Sequence, residues 1–168
     1  MILRYIIKKF FIDLFFVFSI FIIDRFSKIY VLNIDKESFS SSLFTSKFLD
    51  INLIWNEGIA FGLFSFSNNT IYNLITFLIM IVIFIIFMMI VKSNGFKKYS
   101  LLMVLGGAFG NVYDRIIFGA VPDFIDFHIG NFHWFIFNVS DIFITIGVFC
   151  LIMVELFNVK QSDIDEKN

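Results

Sequence analysis

Apolar residues fill four long stretches of the chain, and polar residues are concentrated in the segments that separate them. A helix needs about 20 mostly apolar residues to cross the hydrocarbon layer of a membrane. Stretches of roughly that length cover residues 10–31, 70–91, 99–118 and 138–159. The pattern therefore predicts an all-α membrane protein, a single integral membrane domain over residues 1–168 with four transmembrane helices.

The segment 32–69, between the first two predicted helices, is long for a connection and has a pattern of its own. Its part FLDINLIWNEGIAFG at first alternates apolar and polar residues, which is typical of short strands, and glycine then breaks the alternation. Trp55 is the kind of residue that lies at the level of the lipid headgroups. We expect a small extramembrane β-like platform here, and a second outer segment at 119–137.

Lysine and arginine indicate which helix ends face the cytoplasm, because they are enriched in short cytoplasmic loops. They precede the first helix, join the second to the third and follow the fourth, at Arg4, Lys8, Lys9, Lys92, Lys97, Lys98, Lys160 and Lys167. The segment 119–137 contains neither residue. We therefore place both termini in the cytoplasm and both outer segments on the opposite side.

The composition supports a membrane protein and excludes other classes. Hydrophobic residues make up 59% of the chain and charged residues 16%, with a mean hydropathy of +0.89. The net charge of −1 excludes a strongly basic nucleic-acid binder. Cys150 is the single cysteine, so no intramolecular disulfide can form.

Charged residues nevertheless occur in the stretch GNVYDRIIFGAVPDFIDF, residues 110–127. A charge inside a membrane helix costs roughly 2.5–3.5 kcal/mol on insertion scales, so it normally faces a polar interior and has a partner. We expect Asp24 and Lys28, four residues apart in the first helix, to form an ion pair. Arg115 is expected to hold Asp114 or the polypeptide backbone through its forked donors.

These pairings leave Asp123 and Asp141 without an obvious cation. When two carboxyl groups share a site, repulsion raises the pKa of one of them, and the pair can then act as acid and base on a water molecule. Intramembrane acids also mark proton and ion pathways. The spacing of the two residues does not decide between these functions.

Sequence motifs add a resemblance to a known family. GNVYDRIIFGAVPDF, at 110–124, resembles the G-N-x-x-D-R-x-x-x-G-x-V-x-D-F signature of bacterial lipoprotein signal peptidase, or signal peptidase II. FNVSD at 137–141 is similar to its F-N-x-A-D element, NEGIAFG at 56–62 to its N-x-G-x-A-F element, and DRFSK at 24–28 to its D-x-x-[ST]-K element. Ser140 stands where the family usually has alanine, and Pro122 where another apolar residue is usual.

The resemblance implies an aspartic endopeptidase of the bacterial cytoplasmic (inner) membrane, with its active site toward the outer face. Its substrates would be prolipoproteins, cut just before the cysteine that carries a diacylglyceryl group, and its partners would include membrane lipid but no nucleic acid. The family's catalytic aspartates fall on Asp123 and Asp141, with no metal or other cofactor, and the chain is expected to act as a monomer. The supporting polar positions fall on Asn56, Asn111, Asp114, Arg115, Asn138, Asp24 and Lys28.

Two alternatives stay open at this point. A small proton- or ion-coupled membrane transporter would use the same acids, although neither inverted repeats nor discontinuous helices are evident in the sequence. A metal hydrolase would use His128 and His133, but H-x₄-H is not a recognised ligand spacing and no H-E-x-x-H motif is present. A purely structural membrane protein would leave the acids unexplained.

Overall fold

The computed structural model describes residues 2–37, 43–58 and 69–165. The elements follow one another as helix α1 (Ile2–Glu37), strands β1 (Phe44–Thr45) and β2 (Leu49–Asn56), helices α2 (Asn69–Lys92) and α3 (Gly95–Phe118), strands β3 (Val121–Ile129) and β4 (Phe132–Phe137), and helix α4 (Val139–Asp165). Residues 38–42 and 59–68, which belong to the predicted platform, lie outside the described residues.

The four predicted helices are present, and α1 extends beyond its predicted end at residue 31. Three helices are long and apolar enough to cross a membrane: Tyr72–Lys92 in α2, Gly95–Phe118 in α3 and Val139–Phe157 in α4. The apolar part of α1 contains charged residues, Asp24 and Lys28 among them, and so is not in that group. The described part of the chain is therefore mostly helical, with three helices whose length and composition would allow them to span a membrane.

Helix α3 packs against all three other helices and forms the centre of the bundle. Its glycines permit this, as the spacing of small residues along a membrane helix does elsewhere. A Cβ atom at Gly107 would lie 2.5 Å from the carbonyl oxygen of Ser140. At Gly110 it would lie 2.1 Å from Ser140 Oγ and 2.6 Å from Asp24 Oδ2, so α1, α3 and α4 meet at a point where no side chain fits.

The strands form one antiparallel sheet in the order β1-β2-β3-β4. Strand β2 pairs with β3 from Leu49 opposite Phe127 to Asn56 opposite Val121, with an irregularity between Ile51 and Ile54. The sheet thus joins the two outer segments at one end of the bundle.

Strands in the segment between the first two helices were predicted and are confirmed by β1 and β2, and the segment 119–137, predicted only as a second outer segment, adds β3 and β4 to the same sheet. Gly119 ends α3 with a left-handed φ of 71°, and Gly130 has a φ of 60° between β3 and β4. In VPDFIDFHI most side chains on both faces are buried. The sequence therefore lacks the clear alternation of apolar and polar residues that indicates a half-exposed strand.

Substituting Gly110→Ala should lower the free energy of unfolding by about 1–3 kcal/mol, because the added methyl overpacks the contact with α1 and α4. Ser140→Ala alone should be close to neutral, since Ser140 Oγ is buried and no described residue forms a hydrogen bond with it. The double variant should recover part of the loss by removing the Oγ atom. Thermal unfolding of the purified protein in detergent checks all three; a double variant no more stable than Gly110→Ala would contradict the proposed contact.

Candidate active site

Asn138 and Asp141 form the N-terminal cap of α4. The side-chain oxygen of Asn138 accepts a hydrogen bond from the backbone N–H of Asp141 at 3.1 Å, and Asp141 Oδ2 accepts one from the backbone N–H of Asn138 at 3.2 Å. This reciprocal arrangement is a capping box, in which two backbone donors left over at the helix start are satisfied. The spacing of FNVSD is therefore explained locally: it fixes the Asp141 carboxylate at the start of α4.

Asp123 lies in β3 and is held by two amide side chains. Asn138 Nδ2 donates to Asp123 Oδ1 at 2.6 Å, and Asn56 Nδ2 donates to Asp123 Oδ2 at 2.8 Å. Asn138 therefore contacts both aspartates, one through its side chain and the other through its cap. The pairing of β2 with β3 brings Asn56, 67 positions away in sequence, to Asp123.

Asn111 links Asp141 to a buried cation. Its Nδ2 donates to Asp141 Oδ1 at 2.8 Å, and its Oδ1 accepts from Lys28 Nζ at 3.0 Å. These two bonds fix which end of the amide faces Asp141, because an ammonium group can only donate.

Behind Asn111 lies a cluster of four charged residues, Asp24, Arg25, Lys28 and Asp114, which we call the charge cluster. Lys28 Nζ lies 3.0 Å from Asp24 Oδ2 and 2.7 Å from Asp114 Oδ2, so the predicted Asp24–Lys28 ion pair is confirmed. Arg25 contacts both oxygens of Asp114, at 2.5 and 2.7 Å, and Asp24 at 2.7 Å. Both carboxylates are completely buried.

Arg25 is a member of the site that the sequence interpretation missed. It follows Asp24 directly, and a charged residue in the apolar part of α1 was a signal that could have identified it. Its guanidinium also lies 4.8 Å from the ring centre of Tyr113. The cation that holds Asp114 is therefore Arg25 together with Lys28.

Arg115 holds the backbone, which was one of its two predicted partners. Its Nη2 donates to the carbonyl oxygen of Gly58 at 2.6 Å, and the backbone N–H of Gly58 donates to Asn56 Oδ1 at 2.9 Å. The start of the NEGIAFG element is thereby tied to α3. Among the described residues, the buried Nη1 of Arg115 has no hydrogen-bond partner, so its N–H groups remain for another molecule.

A cavity of about 590 Å³ contains both aspartates. Polar side chains meet at one part of its wall, and aliphatic residues of α2 and α4 form another; it is lined by Asn56, Ile79, Ala108, Asn111, Arg115, Val121, Asp123, Asn138, Asp141, Ile144, Thr145, Val148, Phe149 and Ile152. The structure brings Asp123 and Asp141 to one site with Asn56, Asn111, Asn138 and Arg115. Asp24, Lys28 and Asp114 are not in its wall and act through Asn111 and the helix contacts.

The environment of the cavity raises the pKa of the Asp123 carboxyl. Burial, and after it the negative charge of Asp141, raise the pKa of the Asp123 carboxyl from 3.8 to about 6. The hydrogen bonds from Asn56 and Asn138 and the charge of Lys28 act in the opposite direction. A carboxyl group with such a pKa can hold or release a proton near neutral pH, as acid–base chemistry requires.

The family model described as Signal peptidase (SPase) II matches residues 16–157. The lipoprotein signal peptidase of Pelagibacter ubique is 51% identical over 163 residues, which cover 96% of this chain and 97% of that protein. The chain belongs to the signal peptidase II family. A lipoprotein signal peptidase of Anaplasma marginale is 36% identical, over 87% of this chain and 85% of the relative.

Two solved structures of bacterial membrane enzymes share the fold of this chain. A bacterial membrane enzyme structure at 2.3 Å superposes with a TM-score of 0.70 and 30% identity, covering 89% of this chain and 90% of that one. A second, at 1.9 Å, gives a TM-score of 0.66 at 30% identity and covers 86% and 92%. The resemblance drawn from the motifs is confirmed. Membership of the signal peptidase II family makes this chain a protease, and its apolar helices are consistent with a membrane protein.

In the substrate-free protein, the Asp123 carboxyl should be protonated below and ionised above a pH of about 6. Infrared difference spectroscopy should show a protonated carboxyl band that titrates there and is lost in Asp123→Asn. In Asp141→Asn the pKa of Asp123 should fall, because the neighbouring negative charge is gone. An Asp123 band that titrates near pH 4 in the unmodified protein would refute the coupling.

Asp114→Asn should lower the free energy of unfolding by about 3–5 kcal/mol, because it leaves Arg25 and Lys28 with one carboxylate between them in a buried site. The matched control is Lys97→Met, which removes an exposed ion pair with Glu155 and should cost no more than about 1 kcal/mol. Unfolding titrations in detergent compare the two. Equal losses in both variants would contradict the role given to the charge cluster.

Proposed function

We propose that this protein is an intramembrane aspartic endopeptidase that removes signal peptides from diacylglyceryl-modified prolipoproteins, cutting before the lipidated cysteine. The observation that carries the proposal is that Asp123 and Asp141 line one cavity and are joined by Asn138. The names of its relatives, lipoprotein signal peptidases, support the substrate class.

Asp141 is assigned the role of general base in the resting enzyme. Its carboxylate accepts hydrogen bonds from Asn111 and from the backbone N–H of Asn138. It also lies in the first turn of α4, where the helix dipole favours negative charge. In the reactive form Asp123 carries the shared proton, and because its pKa is raised to about 6 this form predominates below that pH. The two carboxyls titrate as a coupled pair, so the proton belongs to the pair as much as to one residue.

In the proposed reaction, Asp141 takes a proton from a water molecule while the oxygen of that water attacks the scissile carbonyl carbon. Asp123 gives its proton to the carbonyl oxygen, and a neutral tetrahedral intermediate forms. When the C–N bond breaks, Asp141 transfers the proton that it took to the leaving nitrogen. Asp123 takes back the hydroxyl proton as the new carboxyl group forms, and both aspartates return to their first state.

The walls of the cavity support binding of a membrane-inserted peptide. Ile144, Val148 and Ile152 recur along α4 at helical spacing and, with Ile79 of α2, give an apolar surface for the signal helix and lipid chains. Arg115 would offer its free Nη1 donor to a backbone carbonyl of the substrate. One chain supplies both carboxyl groups, so a monomer is sufficient.

We place α1 as a fourth crossing, in the bacterial cytoplasmic membrane. Two of the charges in its apolar part, Asp24 and Lys28, are hidden from lipid at 0% and 1% exposed, whereas Phe15 and Phe26 are 73% and 70% exposed. With both termini in the cytoplasm, the sheet and the aspartates lie toward the outer face, where water reaches the scissile bond. The sheet then covers the substrate from outside the membrane.

Asp123→Asn and Asp141→Asn should each abolish cleavage of a lipidated precursor, since either change removes an acid–base group that no neighbour replaces. The measurement is incubation of purified enzyme with a diacylglyceryl-modified precursor and with its unlipidated twin, which should be cut far more slowly. Membrane insertion and the unfolding midpoint of each variant serve as the controls for folding.

Cleavage retained in either variant would remove that aspartate from the mechanism. Equal cleavage of both precursors would remove the lipid from substrate recognition. Absence of cleavage by the unmodified enzyme, together with proton flux in proteoliposomes, would favour the transporter alternative.

A further inference from the structure

Two histidines and two aspartates lie together on one face of the sheet, and none of them lines the 590 Å³ cavity. In the strand register, Asp50 of β2 is opposite Asp126 of β3, and His128 of β3 is opposite His133 of β4. Residues directly opposite one another share a face, and so do residues two apart on one strand. Three strands therefore contribute to one cluster, which we call the outer cluster.

The distances within the outer cluster are short. One ligand atom from each of Asp126, His128 and His133 lies within 4.8 Å of the other two. His133 Nδ1 is 2.9 Å from Asp126 Oδ2, His128 Nδ1 is 3.9 Å from Asp50 Oδ2, and the two imidazole rings stack with centres 4.9 Å apart. Ligands about 2.0–2.1 Å from a tetrahedral zinc ion are roughly 3.4 Å apart, so side-chain rotation is enough to close the group around an ion.

The hydrogen bonding of the outer cluster is incomplete. His128 is 9% exposed, and its buried Nδ1 atom has no hydrogen-bond partner among the described residues, because the Asp50 carboxylate 3.9 Å away is too distant for one. Asp126 is 5% exposed, and within the described ranges neither it nor Asp50 forms an ion pair with lysine or arginine. A buried imidazole nitrogen without a partner costs free energy, and so does a buried carboxylate without a cation. A bound metal cation would satisfy both.

We propose that Asp126, His128 and His133, with Asp50 as a fourth ligand, form a binding site for a divalent transition metal of the Zn²⁺ class. Imidazole and carboxylate are the donor types that Zn²⁺ accepts in four-coordinate sites. The site is structural rather than catalytic, because it lies outside the cavity that holds Asp123 and Asp141. It ties together β2, β3 and β4, and β3 is the strand that carries Asp123.

The spacing H-x₄-H gave no indication of this site, because the ligands depend on strand pairing. The β3–β4 turn places His133 beside His128, and the β2–β3 register adds Asp50 from a segment more than 70 positions earlier. Neither relation is visible as a local sequence motif. The metal hydrolase considered from the sequence is a different hypothesis, since it used these histidines for catalysis.

The test is titration of the full-length protein, purified in detergent, with Zn²⁺ alone by calorimetry and with Co²⁺ by visible absorption. The affinity tag must be removed, because the chain has only 2 histidines and a polyhistidine tag would dominate the signal. We expect one ion per chain and the absorption of a tetrahedral site with nitrogen ligands. Saturating Zn²⁺ should raise the unfolding midpoint by roughly 5 °C or more.

His133→Gln is the first variant, since its side chain is 53% exposed and glutamine keeps a donor for Asp126. It should weaken Zn²⁺ binding by at least about tenfold and remove the thermal shift. His128→Ala is the second, with the unfolding midpoint of the metal-free protein as its folding control. Asp123→Asn is the matched control for location and should bind Zn²⁺ as the unmodified protein does.

The proposal is overturned if the unmodified protein shows no saturable Zn²⁺ binding, or if His133→Gln and the unmodified protein bind equally. Loss of binding in Asp123→Asn would also overturn it, because the ion would then sit on the pair of acids in the cavity. None of these measurements requires peptide cleavage, so the metal site and the peptidase function can fail independently.

Discussion

The charge cluster, formed by Asp24, Arg25, Lys28 and Asp114, is the interaction on which the rest of the site depends. Its two carboxylates are completely buried. Both cations belong to α1 and bind Asp114 of α3, so the cluster holds α1 against α3. A buried charge is tolerated when groups of opposite charge lie beside it. Removing one of these partners leaves the remaining charge buried without compensation, which costs free energy of folding. This constraint fixes the position of α1 relative to α3 at the sheet end of the bundle.

The charge cluster also reaches the candidate catalytic residues. Asp24 Oδ1 accepts the backbone N–H of Ser140 at 2.9 Å, so the start of α4 is held by a side chain of α1. Lys28 orients Asn111, and Asn111 donates to Asp141. The close approach at Gly110 makes both connections possible, because a side chain there would push the helices apart. The packing of α1, α3 and α4 therefore also determines where Asp141 lies in the site.

The sheet has a complementary role. It takes Asp123 from one outer segment and Asn56 from the other and places them in hydrogen-bond contact. Asn138 then joins Asp123 to the cap of α4, so a strand and a helix start share one amide side chain. The outer cluster adds a second group of polar residues on β2, β3 and β4. The strand pairing of this sheet and the contact with Asn138 therefore determine where Asp123 lies relative to Asp141.

The four helices could be predicted from the sequence, because the length of an apolar stretch is a local property of the chain. Cationic partners for Asp24 and Asp114, and their lack for Asp123 and Asp141, could be expected because a charge in lipid is costly. The family motifs named the aspartates, the asparagines and Arg115 of the cavity, and the cap of α4 has a local cause in FNVSD once the structure is known. Arg25 was missed although its charge within an apolar stretch was a signal, whereas the β3–β4 hairpin and the outer cluster could not be predicted in this way. Strand register and helix contacts join residues far apart in sequence, and only the folded chain decides which of them meet.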